Sequence, residues 1–180
     1  YAKEINTLYT AAEKELGEFT GQVKGVITIG ASSTIGNYVL PAVIAEFRKK
    51  YPKVAVHLVT ANTKTIVDYL NAGGVDIALV EGEVKKQKLI VEKLIPDEMV
   101  LIMHPLHPWA RKSNVSIFDV AKEPFIFREE GSGTRQMIEK YLIKHGISPQ
   151  SIKIVFIMGS TESIKSAVEE VMEMKNENDN

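Results

Sequence analysis

The hydrophobic and polar positions along the chain switch between two periods. Residues 26–29 (VITI) are a short, mostly β-branched run of the kind that fills a buried parallel strand. From Ile35 to Lys50 the pattern turns helical. The alternation then repeats and predicts strand 24–30, helix 35–50, strand 53–60, helix 63–72 and strand 76–81. Pro41 lies inside the first of these helices. It removes a helical hydrogen bond, so a kink or a late start is expected there. Tyr51 precedes Pro52 and is pushed out of the α region, which ends that helix. The glycines of NAGGVD stop the second helix, and DIALV reads as another buried strand.

The second half of the chain continues the alternation. A strand is predicted over 89–103, interrupted by Pro96. A loop, HPLHPWARKSN, leads to a short helix at SIFDVAKE. A strand at PFIFRE, a helix over 132–145 closed by Gly146, a strand over 153–159 and a helix over 161–174 complete the series. Residues 1–19 read as a further helix. Tyr1, Ile5, Leu8, Ala12 and Phe19 fall on heptad spacing, with Glu15 breaking the seam, a narrow stripe suited to pairing with a partner chain. Residues 170–180, ending in KNENDN, are read as a polar tail. The order β-α-β-α-β followed by a second β-α-β-α set predicts an α/β fold with mostly parallel sheets. Pro96 marks the hinge between two expected lobes, 23–95 and 96–169.

One junction recurs. In VITIG-ASST-IGNYVL, FIFREE-GSGT-RQMIEK and IVFIM-GSTE-SIKSAV a strand passes through small and hydroxyl residues straight into a helix. A helix start offers unpaired N–H groups and the positive end of the helix dipole. At the C-terminal edge of a parallel sheet, such a junction suits a carboxylate, sulfate or phosphate. The competing reading is plain N-capping, for which Ser and Thr are favoured, and GSTE alone fits a capping box. The first junction gathers Ser32, Ser33 and Thr34, and the second is flanked by Arg128 and Arg135.

Composition narrows the field only a little. Lys and Arg number 22 against 23 Asp and Glu, which is not the basic balance of a nucleic-acid-binding domain. There is no cysteine, so disulfides and thiolate metal sites are excluded. His104 and His107 lie three apart in a proline-bracketed loop with no third ligand near in sequence, which makes a shared metal a poor reading. GSGT lacks the Lys-Ser/Thr ending of a P-loop, and there is no Gly-x-Ser-x-Gly elbow. Glu129 and Glu130 are adjacent on a strand and point to opposite faces, a poor acid–base pair. No enzyme activity and no cofactor are expected.

The stretches ITIGASSTIGNYVLP, FRKKYPKV and LNAGGVDIALVEG, followed by FREEGSGTRQMIE and GSTESIKSAV, resemble the linker helix and effector-binding domain of LysR-type transcriptional regulators. The resemblance runs from Tyr1 to about Val168. The later motifs are similar to the branch that regulates sulfur assimilation and carbon fixation. It implies two α/β lobes like a type 2 periplasmic binding protein, with a small effector held between them. It maps the pocket onto Ser32, Ser33 and Thr34, then Gly131, Ser132, Gly133 and Thr134, then Ser160 and Thr161, with Ser32 and Thr34 the leading candidates; Arg128 or Arg135, beside the second junction, is expected to add charge. It also implies a cytoplasmic homodimer, tetrameric at full length, that reaches DNA through a helix-turn-helix which these residues do not include. In that family the chain returns to the first lobe after the last helix, a return without counterpart in EVMEMKNENDN; with a start at Tyr1, this suggests a fragment. The rival readings are a solute-binding protein of a transporter and an enzyme such as a phosphoribosyl transferase. The helix over 1–19 argues against the first, and the lack of a paired acid and base against the second.

Overall fold

The structure is a computed structural model that describes residues 23–84 and 89–170. The expected helix over 1–19 and the polar tail lie outside the described residues. The chain divides into two compact units. The first contains residues up to Ala61 together with Ile66–Val80, and the second contains Asn62–Thr65 and the chain from Glu81 onward. The division therefore falls at Glu81 and not at Pro96. The reason is local bonding, because residues 81–83 are tied to the helix that starts at Gly133. Thr134 Oγ1 donates to Glu81 Oε2 (3.2 Å), and Glu83 N–H donates to Gln136 Oε1 (2.8 Å).

The first unit is a three-stranded parallel sheet in the order β2-β1-β3, built from β1 (Gly25–Ser32), β2 (Val54–Ala61) and β3 (Ile77–Leu79). Gly25 pairs with Val54 and the register holds to Ser32 against Ala61. β3 pairs with the end of β1, from Ile29 against Ile77 to Ala31 against Leu79. Asp76 extends that ladder: its N–H donates to Thr28 O (2.9 Å), and its carboxylate accepts from Thr28 N–H (2.7 Å). Helix α1 (Leu40–Lys50) and helix α2 (Thr63–Asn71) follow β1 and β2. The core is small: Ala31, Leu40, Val54, Ile66 and Val75. A Cβ on Gly30 would sit 2.9 Å from Ile66 Cγ2 and 3.2 Å from Val75 Cγ2, so this strand position must be glycine for Ile66 to lie on it. α2 ends as its glycines predict, with Gly73 at φ +72° and Gly74 N–H donating to Tyr69 O.

The expected late start at Pro41 takes a specific form. Helical backbone begins at Ser33, passes through a π-helical turn at Ile35–Val39, and becomes α-helical only at Leu40. Leu40 N–H reaches back to Ile35 O, a five-residue step. Pro41 then sits in the first turn of α1, where its missing N–H costs nothing.

The second unit has a two-stranded parallel sheet, β4 (Phe125–Arg128) and β5 (Ile154–Met158), with an irregularity between Phe125 and Ile126. Helices α3 (Ile117–Val120), α4 (Gly133–Lys144) and α5 (Thr161–Glu170) complete it. Phe127, Leu142 and Ile152 form its core, flanked by Ile117, Ala121, Phe125, Ile138 and Ile147. The strand expected over 89–103 is absent. The backbone there is irregular, and Ile90, Leu94, Ile95 and Val100 are exposed. A strand exists through its ladder, and no described strand pairs with this segment; its apolar run was not sufficient to make one.

Candidate functional site

The three strand–loop–helix junctions look alike in sequence and differ in the structure. At the second, Ser132 is 4% exposed and caps α4, accepting from Arg135 N–H (3.4 Å). Thr134 spends its hydroxyl proton on Glu81. Gly131 has φ +86°, and its carbonyl accepts from Lys64 N–H (3.0 Å). Asn62 Nδ2 donates to Glu130 O (3.3 Å), while Asn62 Oδ1 caps α2 by accepting from Thr65 N–H (3.0 Å). Gly133 lies against the 81 position, where a Cβ would be 2.7 Å from Thr63 Oγ1 and would overlap Glu81 O. Both glycines of GSGT thus serve close packing within the second unit, Gly131 against Asn62 and Lys64, and Gly133 against Glu81 and Thr63.

At the third junction, Ser160 Oγ accepts from Ser163 N–H (3.0 Å) and shares a proton with Ser163 Oγ (2.8 Å). Ser160 thus caps the helix, with Ser163 as its partner at the third position. Thr161 Oγ1 accepts from Arg128 Nη1 (3.4 Å).

The two arginines face inward. Arg128, 3% exposed, makes a forked pair with Glu129 through Nε (2.8 Å) and Nη2 (3.1 Å), and Nη2 also donates to Gly159 O (3.2 Å). Arg135 donates to Glu139 (2.8 Å) and to Arg128 O (3.2 Å), with its guanidinium 5.4 Å from the centre of the Phe127 ring. Neither is a surface residue, and both clamp the second and third junctions to the end of β4. A buried cation of this kind needs its paired carboxylate and its carbonyl acceptors to offset desolvation.

The first junction is different. Thr34 has helical dihedrals (φ −62°, ψ −48°), and its hydroxyl makes no capping bond to the turn that follows. Ser33 and Thr34 are half-buried. Ser32 closes β1, is 3% exposed, and its Oγ has no hydrogen-bond partner. A buried hydroxyl left unpaired costs about 1–3 kcal/mol. The junction is held rigidly: Gly36 is buried on β2, where any Cβ would strike Thr60 Cγ2. A π-helical turn beside a site is a common arrangement.

Sequence reasoning missed Glu81. It follows β3 by two residues, its Oε2 accepts from Thr134, and its Oε1 is buried with no partner. The signal was present as an acidic residue directly after the buried run IALV. His104 and His107 serve the loop itself: their Nδ1 atoms accept from Leu106 N–H (3.1 Å) and Trp109 N–H (3.2 Å). Among the described residues, no three His, Asp or Glu side chains converge as metal ligands, and no helix is long and apolar enough to cross a membrane.

Residues 20–172 match the LysR substrate binding domain. The chain belongs to the LysR substrate-binding domain family. It is 34% identical over 167 residues to the HTH-type transcriptional regulator CysL of Bacillus subtilis, covering 93% of this chain and 55% of that protein. The chain thus spans about half the length of the curated relatives it matches. Among solved structures, it resembles the regulatory domain of CcmR from Synechocystis PCC6803 in complex with 2-PG, with 27% identity and a TM-score of 0.63 over 81% of this chain and 68% of that one. The effector binding domain of QuiR in complex with shikimate shares the fold: TM-score 0.70, 23% identity, 81% and 69% covered. The two-lobed periplasmic-binding-like α/β class expected from sequence is the class of these neighbours.

Proposed function

We propose that this chain is the ligand-sensing domain of a LysR-family transcriptional regulator and that it binds a small anionic effector through the 32–34 junction. The observation that carries the reading is Ser32: a buried hydroxyl without a partner, placed where a helix begins and where capping does not use the neighbouring hydroxyl. The positive end of the helix dipole favours an anion there. Family membership supports the regulatory role, and relatives of this kind bound to shikimate and to 2-PG support a small-molecule ligand. Being a regulator family, these relatives favour this reading over a transporter's solute-binding protein. In the same reading Gly131, Ser132, Gly133, Thr134, Ser160 and Thr161, with Arg128 and Arg135, remain effector-binding candidates of the second unit, although most of their polar groups are taken up within that unit. In this reading the domain pairs as a homodimer, and the intact protein acts in the cytoplasm as a tetramer on DNA.

Calorimetry with sulfate, phosphate, acetylated amino acids and sugar phosphates tests it. Ser32→Ala and Thr34→Val are expected to weaken the best ligand by about ten- to a hundredfold, the loss of a hydrogen bond to a charged group. Unchanged affinity in both variants, with the fold intact, would overturn the site.

A further inference from the structure

The near-balance of charge over the whole chain hides an uneven placement. In the described part of the first unit the lysines and arginines are Lys24, Arg48, Lys49, Lys50 and Lys53, and all of them are exposed. The fold gathers them at one end. Lys24 precedes β1 and Lys53 precedes β2; Gly25 pairs with Val54, and Gly25 N–H donates to Lys53 O (3.4 Å). Arg48, Lys49 and Lys50 form the last turn of α1, and a turn closed by Val54 N–H on Tyr51 O (3.1 Å) leads from them to Lys53. Acids are fewer in the same residues. Glu46 pairs with Lys49 in a solvent-exposed contact, Asp76 is bound by Thr28 N–H further along β1, and Asp68 lies in α2. The negative end of the α1 dipole favours Arg48, Lys49 and Lys50. It does not account for Lys24 and Lys53, which stand at the starts of strands.

We propose that this end of the first unit is a contact surface for the phosphate backbone of duplex DNA, blind to sequence and distinct from the effector junction. The inference rests on the regulatory reading above, in which the intact protein acts on DNA. The two surfaces lie at opposite ends of β1, which runs from Gly25 beside the cations to Ser32 at the junction. Two observations favour DNA over an acidic protein. Four of the five cations are lysines, which are depleted in protein–protein interfaces and serve phosphates as point charges. Residues 1–22 also join the unit at this end, ahead of Val23. Contacts of this kind add affinity and position without reading bases.

The test is fluorescence anisotropy of residues 1–180 with two labelled duplexes of unrelated sequence, over about 20 to 200 mM salt. The wild type is expected to bind both alike, with log affinity falling against log salt at a slope of about −3 to −4, as about four phosphate contacts release counterions. Arg48→Gln, Lys49→Gln and Lys50→Gln together are expected to flatten the slope to about −1. Lys93→Gln, Lys112→Gln and Lys144→Gln, at exposed lysines of the second unit, are expected to leave it unchanged. Glu46→Gln removes the acid that pairs with Lys49 and is expected to raise affinity about two- to fivefold at the lowest salt. No binding by the wild type at the lowest salt overturns the inference. So does an equal flattening by both triple variants, or tighter binding of polyglutamate than of duplex. A slope unchanged in the first triple variant, or an affinity unchanged in Glu46→Gln, overturns it as well; if the first triple variant does not fold, Glu46→Gln decides alone. Each of these outcomes leaves the effector reading, measured by calorimetry with small ligands, standing.

Discussion

At the residue scale, the difference between Ser32 and Ser132 decides how the junctions are read. Both are buried serines that end or follow a strand, and both precede a helix. Ser132 Oγ is satisfied by Arg135 N–H, while Ser32 Oγ is not satisfied. Ser132→Ala should therefore cost stability, about 1 kcal/mol by chemical denaturation, the usual loss of an N-cap. Ser32→Ala should leave stability unchanged or raise it, because it removes an unpaired buried polar group. Arg128 belongs to the same scale. Its forked pair with Glu129 is one-sided in burial, at 3% and 26% exposure, so Arg128→Met should destabilise by about 2–3 kcal/mol, less than a fully buried pair would lose. The sequence alone marked Ser32 and Arg128 as candidates and put Ser32, with Thr34, first; it could not show which of their polar groups are already paired. Side-chain identity shows which groups can donate or accept; only the fold shows which have already done so.

At the element scale, alternation and breakers were legible and pairing was not. The strand at 26–29, the stop before Pro52 and the glycine end of α2 all appear as read, but the run is not buried: Val26 is exposed and Ile27, Thr28 and Ile29 are half-buried, and burial begins only at Gly30. Pro41 announced a disturbed helix start, and the structure resolves it as the Ile35–Val39 π turn. The 89–103 segment shows the limit of that reading. Its apolar residues satisfy the local pattern of a strand, yet a strand needs a neighbour, and hydrophobic pattern carries no information on who that neighbour is. Glu81 was missed for a related reason, since its significance comes from Thr134, 53 residues away. The junction at Gly36 gives a sharp test of this scale. Gly36→Ala pushes a Cβ into Thr60 Cγ2. It should cost about 1–3 kcal/mol, and Thr60→Ser, which removes that methyl, should recover most of the loss in the double variant. Independent additive losses in the cycle would mean that the π turn is not braced on β2.

At the scale of the whole molecule, the near-balance of 22 basic and 23 acidic residues and the family assignment give complementary expectations. The domain by itself should not retard promoter DNA in a sequence-dependent manner. Tight, specific retardation by residues 1–180 would contradict the division of labour proposed here. Association of two copies should show as a concentration-dependent sedimentation coefficient. The central claim, that the 32–34 junction receives a small effector, is tested most directly by backbone amide NMR during titration with the best-binding probe. The account predicts that the largest saturable shifts fall on the amides of residues 32–37, and that Ser32→Ala weakens the midpoint by about ten- to a hundredfold. Saturable shifts confined to other elements, with residues 32–37 unmoved at full occupancy, would contradict it.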